Sequence, residues 1–247
     1  MLSQTLPPTR FDISFSILGV PVRVHPLFWL IALLLGSTGT LLSIPIWIFV
    51  VFVSVLIHEL GHAMAFRFYG IRSHILLHAM GGLTIPEAAP WGSGWANVSP
   101  SPRQEIVISL AGPFAGFLFA TVVMLGVRLM GGILLPSSLF GFIRLPLIAH
   151  MKFGGTVMDI FVSLLLFVNV AWGLFNLLPV YPLDGGQVTR NVLVQYDPMD
   201  GVRKSMWVSV IVGGLIAVYS LFQREIYVAF LFGILAFQSY QMLQARY

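Results

Sequence analysis

Residues 55–65 read VLIHELGHAMA, within an apolar stretch that runs from about residue 45 to residue 68. On a helix, positions i and i+4 share a face, so His58 and His62 can present two imidazole nitrogens to one tetrahedral ion. Glu59 lies next to this face and can accept a proton from a water molecule at such an ion. Two histidines and a glutamate in this arrangement are typical of zinc hydrolases.

The rest of the chain is too apolar for a water-exposed surface. Of its 247 residues, 57% are hydrophobic and 9% are charged, against roughly 25% charged residues in typical soluble domains. This composition excludes a cytosolic enzyme, a secreted disulfide scaffold and a disordered tail. No nucleic-acid partner is expected, because the Lys and Arg residues are scattered rather than clustered. In lipid, histidine and glutamate side chains are costly, which favours a functional role for the three.

Apolar stretches of about 20 residues, long enough to cross a bilayer as helices, set the predicted layout. The predicted fold class is an all-α polytopic membrane protein with about six transmembrane helices and a short membrane-associated β-hairpin or re-entrant loop. Residues 1–247 are expected to form a single integral-membrane domain without a separate soluble domain. If the N-terminus is cytoplasmic, nine of the thirteen Lys and Arg residues lie inside, which favours two cytoplasmic termini. The stretches are roughly 27–42, 45–68, 104–130, 157–178, 205–222 and 226–243.

A catalytic zinc usually has three protein ligands and one open position, so the histidine pair needs a third partner. Cysteine is absent, and most of the acidic residues lie in polar surroundings or loops, which leaves Asp159 and Asp184. Asp159 is near the start of the fourth stretch, where it favours the N-terminus of a helix. Asp184 follows that stretch on the predicted side of the histidines, after Pro179 and Pro182 break the helix. Irregular backbone at membrane depth is tolerated where protein buries it or water reaches it. Asp184 is therefore the predicted third ligand.

Two motifs together carry a resemblance to a known family. The segment His58-Glu59-Leu60-Gly61-His62, followed by NLLPVYPLDG at 176–185, resembles the site-2 protease family of intramembrane zinc metalloproteases. The layout is most similar to the six-helix bacterial branch related to the sporulation-factor protease, without a PDZ or CBS domain. Shorter pieces also match: Val24-His25-Pro26-Leu27-Phe28, Gly81-Gly82 and Ala111-Gly112-Pro113.

This resemblance implies a function and a set of roles. The chain would be a zinc metalloendopeptidase that hydrolyses peptide bonds within or next to transmembrane segments of membrane-protein substrates. It would hold one Zn²⁺ and use Glu59 as the catalytic base. Its expected place is the bacterial cytoplasmic membrane, as a multi-pass protein whose partners are the lipid bilayer and the substrate. In the family Asn176 is associated with holding the substrate backbone or the oxyanion, whereas its simpler interpretation is an interhelical hydrogen bond.

The segment from Ile71 to Pro86 alternates, and its part from Ile75 to Pro86 contains Gly81-Gly82. It is predicted to form a membrane-inserted hairpin beside the active site and to bind the substrate as an added strand, with Gly81, Gly82 and Leu83 as contacts. The alternative is an interfacial loop without substrate contact. Because an extended chain separates positions i and i+4, His74 and His78 are not expected to form a second zinc site.

Two other functions are compatible with histidines and a glutamate on a membrane helix. A zinc transporter would need several weak sites along a wet path, and the chain has few further intramembrane acids to form one. A catalytically inactive scaffold of the same fold would be expected to lose Glu59 first. The protease is the favoured interpretation.

Overall fold

Helices dominate the fold, as the apolar stretches predict. The structure, a computed structural model, describes residues 7–36, 43–87, 99–139 and 143–244. The helices among these residues are α1 (Pro26–Gly36), α2 (Ser43–Phe68), α3 (Pro102–Leu129), α4 (Gly155–Asn176), α5 (Asp184–Tyr196), α6 (Gly201–Phe222) and α7 (Ile226–Gln244).

Five of the described helices are long and apolar enough to cross a membrane, namely α2, α3, α4, α6 and α7. The predicted count of six is therefore not confirmed. The first predicted stretch corresponds to α1, which has 11 residues within the described part of the chain. At 1.5 Å per residue, a helix of that length spans about 16 Å, well short of a hydrocarbon core of roughly 30 Å. Residues 37–42, the end of that stretch, lie outside the described residues.

A four-stranded sheet accompanies the helices, with the order β1-β2-β3-β4. The β3 and β4 strands form the antiparallel hairpin predicted from the sequence, whereas β1 and β2 were not predicted. The β2–β3 pair is parallel, and both other pairs are antiparallel. The strands are β1 (Ile13–Ile17), β2 (Val20–Val24), β3 (Ser73–His78) and β4 (Gly81–Pro86).

A second hairpin, β5 (Ile133–Leu139) with β6 (Ile143–His150), lies between α3 and α4 in sequence and was also not predicted. Its Leu147 and Ala149 are buried in an apolar cluster with Val127 of α3 and Leu166 of α4. Alternate residues of β6 therefore face the helices, as the period of two in a strand requires.

The chain folds into two compact units. The first comprises Met1–Asn97 with Phe114–Gly173, and the second comprises Val98–Pro113 with Leu174–Tyr247. In the first unit, valines of β2 and apolar residues of β3 pack against Val55 of α2. In the second unit, Val180, Phe232 and Leu235 form the buried core.

Candidate active site

Helix α2 carries the three residues of the zinc-hydrolase pattern, and all of them are buried. The exposed fractions are 4% for His58, 5% for Glu59 and 7% for His62. The Nε2 atoms of the two histidines are 3.1 Å apart. Two nitrogens at about 2.0–2.1 Å from a tetrahedral zinc would be separated by roughly 3.3 Å. The observed separation therefore fits two ligands of one ion.

The third predicted ligand, Asp184, is the first residue of α5. Asp184 belongs to the second compact unit and the two histidines belong to the first, so its role as the third ligand stays a prediction. Two imidazoles and one carboxylate form a donor set that suits zinc and leaves one tetrahedral position open. The predicted set of His58, His62 and Asp184 has this donor chemistry.

Two glycines allow the backbone before α5 to fold closely on itself. A Cβ atom at Gly185 would lie 2.1 Å from the carbonyl oxygen of Leu177, and one at Gly186 would lie 2.5 Å from the amide nitrogen of Tyr181. No side chain fits in either place, because the obstructing atoms are backbone. The amide of Tyr181 also donates a hydrogen bond to Ser209 Oγ at 3.0 Å. Packing within this unit therefore requires glycine at both positions that follow Asp184.

The β3–β4 hairpin lies directly against Glu59. The hydroxyl of Thr84 on β4 is 2.7 Å from Glu59 Oε2 and 3.0 Å from the backbone oxygen of the same residue. A Cβ atom at Gly82 would lie 2.3 Å from Glu59 Cγ, so only glycine leaves room for this side chain. Sequence reasoning placed the hairpin beside the site but missed Thr84. The signal for it was the period of two in a strand, which places Thr84 on the same face as Gly82.

Comparison with known proteins identifies the family. The family model described as Peptidase family M50 matches residues 46–218, which include both sequence motifs. The chain belongs to peptidase family M50. This confirms the resemblance drawn from the motifs. Together with the five long apolar helices among the described residues, membership of this family makes the M50 chain a multi-pass membrane protein.

Individual relatives agree with this assignment. A zinc metalloprotease of Methanocaldococcus jannaschii is 28% identical over 183 residues, which cover 72% of this chain and 44% of that protein. Stage IV sporulation protein FB of Bacillus subtilis is 29% identical over 171 residues, 68% of this chain and 46% of that protein. The M50 chain thus spans less than half of the length of these curated relatives.

A solved structure has the same fold. The site-2 protease from Methanocaldococcus jannaschii matches with a TM-score of 0.54 at 24% sequence identity. The match covers 94% of the M50 chain and 95% of that structure. At this identity the likeness establishes the fold, including helices accompanied by small β-sheets.

The predicted substrate-binding residues of the hairpin lie at the turn and along β4. Gly81 adopts a positive φ of 110°, a conformation that favours glycine, and the position of its absent Cβ is 3.4 Å from the ring of Trp172. Leu83 is partly exposed, and β4 is a terminal strand of the described sheet. Substrate contact by Gly81, Gly82 and Leu83 stays a prediction.

A buried asparagine links two helices of the M50 chain, but it is not the one that the motif contains. Asn169 Nδ2 donates hydrogen bonds to Ser54 Oγ at 2.9 Å and to the backbone oxygen of Leu165 at 2.8 Å. Ser54 precedes His58 by one helical turn on α2, so this bond anchors the helix of the histidine pair to α4. Asn176 is the last residue of α4, and its role stays a prediction.

The remaining histidines have other partners. His78 Nδ1 accepts a hydrogen bond from the amide of Met80 at 3.1 Å, and burial lowers the pKa of His78 below its ordinary value. His74 Nδ1 is 3.3 Å from Glu87 Oε1. Both histidines lie on the extended strand β3, which agrees with the expectation that they do not form a second helical pair.

Asp159, the acid set aside from the metal site, connects α4 to the second hairpin. Its carboxylate accepts hydrogen bonds from the amide of Met151 and from His150 Nδ1, both at 2.7 Å. Asp159 therefore holds the end of β6 against the first turns of α4.

Proposed function

We propose that this M50 chain is an intramembrane zinc metalloprotease that hydrolyses peptide bonds within or next to transmembrane segments of membrane proteins. The observation that carries the proposal is the buried group of His58, Glu59 and His62 on a helix apolar enough to cross a membrane. Substrates of a site on such a helix are proposed to reach it from the bilayer. The relatives named as zinc metalloproteases support the same activity.

His58, His62 and Asp184 are the proposed zinc ligands. When bound, zinc would supply Lewis-acid chemistry, lowering the pKa of a water molecule and polarising the substrate carbonyl. Glu59 accepts the proton of the attacking water and delivers it to the nitrogen of the leaving amine. The burial of Glu59 keeps bulk solvent away from the carboxylate during this transfer. Asn176 is proposed to hold the substrate backbone or the oxyanion.

The outer edge of β4 is the proposed binding place for the scissile segment. A protease needs its substrate extended, because a helix engages the carbonyl groups in its own hydrogen bonds. Gly82 packs on Glu59, so a strand added to β4 would run close to the catalytic base. Gly81, Gly82 and Leu83 would then contact the substrate.

Residues 1–247 are proposed to form one integral-membrane domain, because α3 and α4 each contribute residues to both compact units. The proposed location is the bacterial cytoplasmic membrane, with both termini in the cytoplasm. This orientation requires the stretch 27–42 to cross the membrane together with the five long helices. Reporter fusions after residue 247 and within 131–155 should then report opposite sides. The same side at both positions would contradict the orientation.

The catalytic roles are tested by co-expressing the chain with tagged single-pass membrane proteins. Glu59→Gln should reduce cleavage by about 10²–10⁴-fold while zinc stays bound, since the amide cannot accept the proton. Asp184→Asn should lose zinc as well as activity, because a neutral amide is a poorer ligand. Equal zinc content and activity in wild type and Asp184→Asn would reject the ligand assignment. Zinc movement across vesicle membranes, equal in wild type and Glu59→Gln and without cleavage, would favour a transporter.

The β4 edge is tested by cysteine crosslinking, for which the cysteine-free chain is a ready background. Leu83→Cys, at a site that is 38% exposed, should form a disulfide with a cysteine placed next to the cleavage site of a substrate. The matched control is Ile13→Cys, 52% exposed, on the opposite terminal strand of the same sheet. Equal crosslinking at the two positions would contradict strand addition at β4.

A further inference from the structure

The side chain of Glu59 is confined by two small residues of β4. Thr84 Oγ1 lies 2.7 Å from Oε2. On the same face of the strand, the position of an absent Cβ at Gly82 is 2.5 Å from Oε1. One carboxylate oxygen thus contacts a hydroxyl, and the other lies over a glycine.

The chemistry of the two groups sets the direction of this hydrogen bond. An ionised carboxylate only accepts, and a threonine hydroxyl has a single proton to give. Hydrogen bonds to a charged acceptor are stronger than those to a neutral one, so the proton of Thr84 points to Oε2 in preference to the backbone oxygen of Glu59. Threonine is also β-branched and stiff at χ1, which makes its hydroxyl a fixed point on the strand.

We propose that Thr84 is a positioning residue for catalysis: its hydroxyl holds Oε2 of Glu59 and leaves Oε1 to accept the proton. This inference rests on the proposed function of Glu59 as the base. In the reaction, an O–H bond of water breaks and its proton moves to Oε1, while the electron pair stays on the oxygen that attacks the carbonyl carbon. The proton then passes to the amide nitrogen as the C–N bond breaks.

A purely structural role for the same contact makes a different prediction. The Thr84 hydroxyl is also 3.0 Å from the backbone oxygen of Glu59, so it could serve only to attach the hairpin to α2. Loss of an attachment would lower thermal stability and zinc content together with activity. Loss of positioning would lower kcat alone, because a small displacement of a catalytic group can cost up to about a hundredfold in rate.

The test compares Thr84→Val, which keeps the shape but loses the hydroxyl, with Thr84→Ser, which keeps the hydroxyl. Thr121→Val is the matched control, since the Thr121 hydroxyl also donates to a backbone oxygen, that of Phe117 at 2.8 Å, on the exposed side of α3. The activity probe is a single-pass reporter that wild type cleaves and Glu59→Gln does not. We expect Thr84→Val to lower kcat about tenfold or more, with KM, zinc content and melting temperature unchanged. Thr84→Ser and Thr121→Val should stay near wild type.

An infrared measurement tests the hydrogen bond from Thr84 to Glu59 independently of any substrate. The difference spectrum between wild type and Glu59→Gln isolates the carboxylate stretch of Glu59. Thr84→Val should shift this band, and Thr84→Ser should restore it. An unshifted band, or a kcat of Thr84→Val equal to that of wild type, would overturn the positioning role. A shifted band, combined with equal cleavage of the reporter by wild type and Glu59→Gln, would contradict the proposed role of Glu59 in proteolysis and leave the contact between Thr84 and Glu59 established.

Discussion

Two hairpins of the first unit, β3–β4 and β5–β6, differ in what they pack against. The β3–β4 hairpin places small residues, Gly82 and Thr84, against a buried carboxylate on α2. The β5–β6 hairpin places apolar residues, Leu147 and Ala149, into a cluster between α3 and α4. The same element is used in one place to shape a polar site and in the other to extend the apolar core. The groups that the inward residues contact, a carboxylate in β3–β4 and apolar side chains in β5–β6, distinguish the two uses.

The largest expected effect is at the glycine that touches Glu59. Gly82→Ala would place a Cβ atom 2.3 Å from Glu59 Cγ, so the Glu59 side chain must move. We expect a loss of proteolysis of about a hundredfold with zinc retained. Gly126→Ala on α3 is the control, because a Cβ atom there meets nothing within 4 Å. Full activity in Gly82→Ala would show that proteolysis does not require a glycine at this position of the hairpin.

An intermediate effect is expected in the second hairpin, on stability rather than on activity. Leu147 is 2% exposed, and Leu147→Ala should lower the free energy of unfolding by about 2–5 kcal/mol. Its neighbour Ile148 is 44% exposed, so Ile148→Ala should change stability much less. Unfolding in detergent, followed with cleavage per folded molecule, measures both quantities. A drop in specific activity in Leu147→Ala would mean that the second hairpin also shapes the active site.

The smallest effect, on thermal stability, is expected next to β1, at the edge of the sheet opposite β4. The Thr9 hydroxyl, which donates a hydrogen bond to Asp12, is the main cause that lowers the pKa of this carboxyl, and Arg23 contributes further. A lowered pKa in the folded state adds stability above the unfolded pKa of about 3.9, and this stability is lost as the pH falls through the folded pKa. Wild type should therefore melt slightly above Asp12→Asn at neutral pH, and the difference should vanish in acid. A pH-independent difference would exclude this carboxylate as its cause.

Much of the fold was predictable because its signals are local. The long helices follow from uninterrupted apolar stretches, and the β3–β4 hairpin follows from alternation around Gly81 and Gly82. The β5–β6 hairpin was missed because several exposed positions of its strands, such as Ile133, Leu135 and Ile148, are apolar like the buried ones. Alternation in exposure is invisible in the sequence when both faces avoid water.

The candidate site was predictable only in part, for a similar reason. His58, Glu59 and His62 stand out because polar groups on an apolar helix are conspicuous at close spacing. Thr84 is an ordinary strand residue in the sequence, and its contact with Glu59 joins positions 25 residues apart. Asn169 was not predicted, because its partner Ser54 lies 115 residues away along the chain.

The sequence by itself determined the helical membrane class, because composition and apolar stretches depend on neighbours along the chain, and its two motifs carried the resemblance to the family and the metal-binding residue types. Only the tertiary structure decided which side chains from other elements form hydrogen bonds with α2. The bond from Asn169 to Ser54 spans 115 residues, and the bond from Thr84 to Glu59 depends on which face of β4 packs on α2. Such contacts are selected by packing between distant segments, where hydrogen-bond geometry rather than sequence spacing sets the partner.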